Sequence, residues 1–296
     1  MDALQTGSTF KRGRWGKRRR WAEPRAADGA AEPEPDSSSS QDAGPLAEPD
    51  LSIVVPAFNE ETRLRKIFGD FAGYLRQSPE SVELLFVDDG STDGSVEFLE
   101  RCREEYSLER LRILRNPGNR GKGFSVRRGM LAARGRTVLF SDADLSTPLG
   151  EIAKLRSYMP RADVVIGSRS VTGAELVEKQ SLYRRLGGKA INLGVQLIAV
   201  PGIQDTQCGF KMFTREAARA IFSRCTLDGF SFDVEVLYVA RKLGYRIAEV
   251  PVVWKNAPGS KVDPIQDGLR LLRDLLVIRA NDRRARYEEP IVDSMD

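Results

Sequence analysis

The chain contains no histidine. Ser-His-Asp and Cys-His nucleophilic chemistry is therefore excluded, as is any zinc site built on imidazole. Cysteine is scarce: Cys102, Cys208 and Cys225 lie far apart and form no C-x-x-C. That usage reads as reduced thiols in a cytosolic protein. Long apolar runs are missing as well. The longest, Ile191 to Ile203, is interrupted by Gly194, Gln196, Pro201 and Gly202, and falls short of a bilayer span. Basic residues near the N-terminus have no apolar stretch behind them, so a secretory signal is not expected. These absences predict a cytoplasmic protein without a transmembrane helix, free to lie peripherally on a membrane. A strong charge excess is also lacking. Lys and Arg number 46 against 42 Asp and Glu, a net +4, which is too little to argue for nucleic acid as a partner.

What is present changes character near residue 50. Lys11 to Arg25 is basic, with Trp15 and Trp21 inside it, and the charges from Asp28 to Asp50 are all acidic, among prolines and the run Ser37 to Ser40. Neither half can bury enough apolar surface to offset its ordering entropy, so residues 1–49 are expected to be a disordered arm. Its basic half suits anionic lipid, RNA or simple solvation. Residues 50–280 read as one folded domain with a C-terminal amphipathic helix, and residues 281–296 as a charged tail.

Within the domain, apolar strands alternate with helical periodicity. Leu51 to Pro56 is a short apolar run ended by proline, and Leu64, Ile67, Phe68, Phe71 and Leu75 recur at helical spacing. Strands are expected at 82–87, 111–114, 137–141 and 163–167, with helices reaching Tyr106 and Ala133. This βαβα rhythm predicts an α/β fold with a doubly wound, mostly parallel twisted sheet flanked by helices. Ligands in such folds sit outside the carboxyl ends of the strands. Polar clusters fall at those ends: Pro56-Ala57-Phe58-Asn59-Glu60-Glu61, Asp88-Asp89-Gly90-Ser91 and Ser141-Asp142-Ala143-Asp144. Several acidic strand ends in one crevice call for a cation or a donor-rich ligand. Asp142 and Asp144 suit Mg²⁺ or Mn²⁺ shared with phosphate oxygens, whereas Asp93 alone reads as a helix cap. Asn116 to Gly123 matches neither the dinucleotide fingerprint nor the P-loop. Its Lys122, at a helix start, remains an anion contact.

Taken in order, PAFNEE (56–61), VDDGSTDGS (87–95), GNRGKG (118–123), SDAD (141–144), GSR (167–169) and DTQCGFK (205–211) resemble the family 2 glycosyltransferases of GT-A fold. The later segments, DTQCGFK, Phe232 to Ala240 and Glu249 to Trp254 followed by Gly259-Ser-Lys261, narrow the resemblance to the dolichyl-phosphate β-glucosyltransferase branch. The resemblance runs from about Leu51 to Arg279. It implies that Pro56, Ala57, Glu60 and Asp89 hold the base and ribose of a nucleotide sugar, with Asp142 and Asp144 on the metal. Arg169, Arg184 and Lys261 would be the cations nearest the donor and acceptor phosphates, with Gln207 and Asp233 shaping the sugar and acceptor site. The implied partners are UDP-glucose, a polyprenyl phosphate and a membrane surface. Transfer from GDP-mannose, or to a soluble acceptor, stays open, because the front half is common to all three.

The missing histidine agrees with that chemistry. A polyprenyl phosphate is already an anion and needs little deprotonation, so the demand shifts to the leaving nucleoside diphosphate. Direct attack on the anomeric carbon inverts it, and Asp205 is read as structural or acceptor-positioning rather than as a base. Two segments mix basic residues with apolar ones in the manner of interfacial helices. One is Tyr183 to Ile198. The other carries Ile265, Leu269, Leu272 and Leu276 beside Arg270, Arg273 and Arg279, with Arg283, Arg284 and Arg286 beyond it.

Overall fold

The computed structural model describes residues 47–176, 195–196, 199–255 and 264–291, with the backbone alone over 264–269. The elements, in chain order, are β1 (Leu51–Ala57), α1 (Glu61–Gln77), β2 (Val82–Asp88), α2 (Ser95–Glu105), β3 (Leu111–Arg115), α3 (Lys122–Ala132), β4 (Thr137–Ser141), a short 3-10 turn (Leu149–Glu151), α4 (Ile152–Tyr158), β5 (Val164–Ser168), β6 (Glu175–Leu176), β7 (Phe210–Thr214), α5 (Arg215–Phe222), α6 (Phe232–Lys242), β8 (Ile247–Pro251), β9 (Val253–Trp254) and α7 (Pro264–Arg283).

Seven strands form one sheet in the order β3-β2-β1-β4-β7-β5-β8, and β6 pairs with β9 in a small second sheet. β1, β2, β3 and β4 run parallel, as does β5 with β8, while β7 is antiparallel to both β4 and β5. The parallel strands read as near-continuous apolar runs because helices cover both faces. Ile53, Val55, Leu84 and Phe86 point into one core with Leu64, Phe68 and Phe71 of α1, while Val54, Leu85 and Val87 point into the other with Val126 and Met130 of α3. At the amino ends of the strands, buried Glu83 accepts from Ser52 Oγ, Arg112 Nη1 and the Arg134 N–H, which ties β1, β2 and the turn before β4 together.

The strand order reverses at β1, with β2 on one side and β4 on the other. Above that pair lies the crevice where doubly wound sheets bind ligands. β7 was not foreseen. Its reversed direction brings its first residue, Phe210, opposite Ser141, the last of β4, so the segment entering β7 lies over the same crevice.

Of the apolar stripe expected on α7, Leu272 and Leu276 are exposed, and a second row, Leu271, Leu275 and Ile278, turns to the core. The charged stretch from 281 to 291 is solvated only in part. Arg283, Arg284 and Arg286 are exposed, but Asn281 and Tyr287 are buried, and the Ile291 N–H donates to the Ser223 carbonyl at 2.7 Å. An aromatic ring with a hydroxyl to satisfy is drawn inward despite its charged neighbours. The 1–46 part of the arm, most of the Tyr183 to Ile198 segment, Arg184 and Lys261 lie outside the described residues.

Candidate active site

The loops after β1 and β2 are fastened to each other. Asn59 takes a left-handed backbone conformation, its N–H donates to Ser91 Oγ at 2.9 Å, and its Oδ1 accepts from the Thr92 N–H at 2.9 Å. The Glu60 N–H donates to Ser95 Oγ, and the Glu60 carboxylate pairs with Arg63 at 2.6 Å. Asp93 accepts from the Glu61 and Ser95 N–H groups, and so serves the starts of both α1 and α2. Pro56 is half-buried and Ala57 buried along the floor. Asp89 is buried and accepts three hydrogen bonds, from Asn116 Nδ2 and from the Arg120 and Gly121 N–H groups at 2.8–3.0 Å. Its described work is to hold the 116–121 loop that leads into α3.

That loop delivers Lys122. Gly121 has φ +104, and a Cβ there would lie 2.4 Å from the Asp228 carbonyl oxygen, so only glycine makes the bend into α3. The Lys122 Nζ reaches Asp142 Oδ1 at 2.6 Å and lies 5.5 Å and 5.7 Å from the ring centres of Phe140 and Phe230. Burial disfavours its charge, but Asp142, Asp233 and Asp144 outweigh that cost and hold its pKa above the ordinary lysine value.

Asp142 and Asp144 follow β4 and flank buried Ala143. The Asp142 N–H donates to the Gly209 carbonyl at 3.0 Å, and a Cβ on Gly209 would sit 2.0 Å from Asp142 Oδ2. A larger residue there would have to push the Asp142 carboxylate aside. Asp144 Oδ1 accepts from the Ser146 N–H at 2.9 Å. Asp142 Oδ1 is a buried oxygen whose one partner among the described residues is the Lys122 ammonium. Among the described residues no three His, Cys, Asp or Glu side chains cluster as a metal cage. Mg²⁺ and Mn²⁺ do not need one. They are commonly held by one or two carboxylates, with substrate phosphates and water completing the shell. An Asp142 oxygen with one partner, and Asp144 beside it, fit that donor set.

On the far side of the crevice, Arg169 and Asp205 form a closed pair. Asp205 accepts from Arg169 Nε at 2.7 Å, Nη2 at 2.8 Å and its backbone N–H at 2.8 Å. Burial opposes the Asp205 charge, but Arg169 overcomes it and holds the carboxyl below the usual carboxylate range. The pair also holds the Arg169 pKa above its ordinary value. Arg169 lies 5.7 Å from the Trp254 ring centre. Gln207 is exposed on the adjoining turn. Cys208 is inert: burial, and then the Asp205 charge, push its thiol up to about 12.

Asp233 opens α6 beneath the crevice. Burial pushes its carboxyl up, while Lys211 and Lys122 draw it down. Lys211 is almost wholly buried, donating to Asp233 Oδ1 and to the Cys208 carbonyl at 2.7 Å. The structure thus brings Lys122, Asp142, Asp144, Lys211 and Asp233 together, with Arg169 and Asp205 alongside. Lys211 was missed as a functional group. A lysine inside an apolar strand segment, in a chain with an Asp opening a mostly apolar helix, was the available signal. Glu235 was missed too. It is fully buried and accepts from the Thr226 and Leu227 N–H groups, Thr226 Oγ1 and Tyr287 Oη. It thereby fixes the 226–228 turn, whose Asp228 carbonyl accepts from the Gly123 N–H at the start of α3.

A mixed sheet with a switch-point crevice and paired carboxylates after β4 is an architecture shared with solved structures. Glucosyl-3-phosphoglycerate synthase of Mycobacterium tuberculosis, in complex with Mn²⁺, UDP-glucose and phosphoglyceric acid, superposes with a TM-score of 0.58 at 19% identity, covering 84% of this chain and 82% of that one. The same synthase with Mn²⁺, UDP and glucosyl-3-phosphoglycerate gives 0.57. The family model for glycosyl transferase family 2 matches residues 52–222. The dolichyl-phosphate β-glucosyltransferase of Dictyostelium discoideum is 38% identical over 77% of this chain and 73% of its own length, and the human one 35% over 77% and 74%. The chain therefore belongs to glycosyl transferase family 2, within its dolichyl-phosphate β-glucosyltransferase branch.

Proposed function

We propose that this enzyme transfers glucose from UDP-glucose to a dolichyl-type polyprenyl phosphate with inversion at the anomeric carbon. The carrying observation is the pair Asp142 and Asp144 above the β1–β4 switch point, one buried oxygen of which has the Lys122 ammonium as its one partner among the described residues. In this reading Asp142 and Asp144 hold Mg²⁺ or Mn²⁺ together with the donor diphosphate. Such an ion offsets the negative charge that grows on the leaving diphosphate.

The chain's own residues do the rest. Pro56, Ala57 and Glu60 line the nucleotide side, and Asp89 shapes the loop that presents Lys122 to the diphosphate. An acceptor phosphate oxygen attacks the anomeric carbon as the bond to UDP breaks, and no general base is required because that oxygen is already anionic. Arg169 supplies positive charge that Asp205 keeps oriented, and Lys211 holds Asp233 at the crevice floor beside the sugar and acceptor. Arg184, Gln207 and Lys261 are assigned to the acceptor phosphate. Residues from about 50 onward act as one transferase domain, with 1–49 as an arm. No described helix is long and apolar enough to cross a membrane. The exposed ridge of Leu272 and Leu276 on α7, beside exposed Arg273, suits peripheral contact with an anionic leaflet on the cytoplasmic side.

The test is a partition assay with the purified chain, polyprenyl phosphate, Mn²⁺ or Mg²⁺, and labelled UDP-glucose and GDP-mannose in parallel. Label entering the organic phase from UDP-glucose alone is the expected result. Label from GDP-mannose alone overturns the sugar assignment, and label in neither organic phase overturns the lipid acceptor.

A further inference from the structure

Lys122 is paired with an oxygen assigned to the metal. Its ammonium lies 2.6 Å from Asp142 Oδ1, and that oxygen takes no hydrogen bond from any other described residue. An ammonium has three N–H donors to satisfy, and its surroundings here are the Phe140 and Phe230 rings and the carboxylates below. Phe230 is exposed, so this side of the slot opens to solvent. The backbone, by contrast, is fixed: Gly123 and Phe124 both donate to the Asp228 carbonyl, and Gly121 makes the bend. A rigid helix start thus carries a long side chain whose charged end is held by its ion pair with Asp142.

A divalent ion on Asp142 would stand beside the Lys122 ammonium, and repulsion between the two positive charges weakens its hold unless the ammonium moves away. A nucleoside diphosphate offers the ammonium a better acceptor, with several anionic oxygens in the same crevice. We infer that Lys122 acts as an internal counter-cation: it occupies Asp142 while the donor is absent and moves to the donor diphosphate when the donor arrives, so that metal and nucleotide bind cooperatively. This rests on the proposed metal role of Asp142 and Asp144. It adds a positioning function to Lys122 beyond anion binding. By linkage, the metal must strengthen nucleotide binding by the same factor.

The test is Mn²⁺ binding to the full chain, read by the electron paramagnetic resonance signal of free Mn²⁺, with and without UDP. In wild type, Mn²⁺ alone should bind weakly and UDP should tighten it. Lys122→Met should bind Mn²⁺ about tenfold more tightly without UDP, and the gain on adding UDP should shrink by at least that factor. Lys122→Gln, which also removes the charge, should match it and keeps the test open if the methionine variant misfolds. Lys122→Arg, which keeps a cation, should stay near wild type. Unchanged or weaker Mn²⁺ binding by Lys122→Met and Lys122→Gln in the absence of UDP overturns the proposal. Asp142→Asn separates the two failures: if it binds Mn²⁺ with UDP as wild type does, the metal reading itself falls. If it loses Mn²⁺ while the Lys122 variants show no gain, only the counter-cation role falls.

Discussion

Two ion pairs face each other across the crevice and differ in completeness. Asp205 accepts both guanidinium arms of Arg169 and its backbone N–H, while the Gln204 and Asp205 N–H groups donate to Glu249. Asp142 has one cation, the Lys122 ammonium, on one oxygen. Both carboxylates sit at the same edge of the same sheet. The first takes three hydrogen bonds from one arginine, whereas the second has a single lysine partner. A saturated pair resists disruption because breaking it strands a charge. A pair with one partner leaves carboxylate lone pairs free for the divalent ion proposed above.

The comparison can be broken at its strongest point first. Asp144→Asn removes a proposed metal ligand without removing volume. Turnover should fall about a hundredfold or more, with the thermal midpoint nearly unchanged. Retained metal-dependent turnover would dissolve the contrast. Asp205→Ala should act the other way, on stability, costing about 3 kcal/mol because Arg169 is left unpaired. Its pH dependence has a fixed sign. The folded Asp205 carboxyl lies below its ordinary value, so the unfolded chain binds the extra proton. The pair therefore stabilises the fold above about pH 4 and loses that contribution as pH falls through the folded pKa. Urea midpoints followed against pH should show this part of the acid slope disappear in Asp205→Ala.

A finer probe is Gly209→Ala, whose Cβ would meet Asp142 Oδ2 at 2.0 Å. Displacing the carboxylate should weaken Mn²⁺ binding in the presence of UDP about tenfold, with a small change in melting temperature. The smallest effect is expected at Tyr287→Phe, far along the chain from the strand ends. It removes one of four donors to buried Glu235 and should cost about 1 kcal/mol. The activity of the protein that remains folded should be close to wild type. A large loss of activity without loss of stability would join this anchor to the site.

β1 to β5 were legible because each is local: an apolar run, then a turn, with carboxylates after β1, β2 and β4; the parallel β8 was not read. Asp142 and Asp144 belong to that class, being one residue apart at a strand end. β7 was not legible, since its partners β4 and β5 are separated from it by long stretches of chain and its residues 210–214 carry a lysine in the middle. The burial of Lys211 against Asp233 and of Tyr287 against Glu235 likewise depends on contacts between distant segments. Charged and hydroxyl-bearing side chains read as surface in one dimension and become interior only when a partner arrives. The core-facing row of α7 was hidden for a related reason. Leucines occur on both of its sides, and the spacing of Leu272 and Leu276, which stay exposed, drew attention away from Leu271, Leu275 and Ile278, which take the core.

The central claim is that the carboxylates after β4 take a divalent ion together with a nucleoside diphosphate. The most direct measurement is Mn²⁺ titration of wild type and Asp144→Asn in the presence of UDP, with free Mn²⁺ read by its resonance signal. Wild type should deplete free Mn²⁺ to one ion per chain, and Asp144→Asn should leave it nearly unchanged while remaining folded. A folded Asp144→Asn that still binds Mn²⁺ as tightly as wild type would contradict the account.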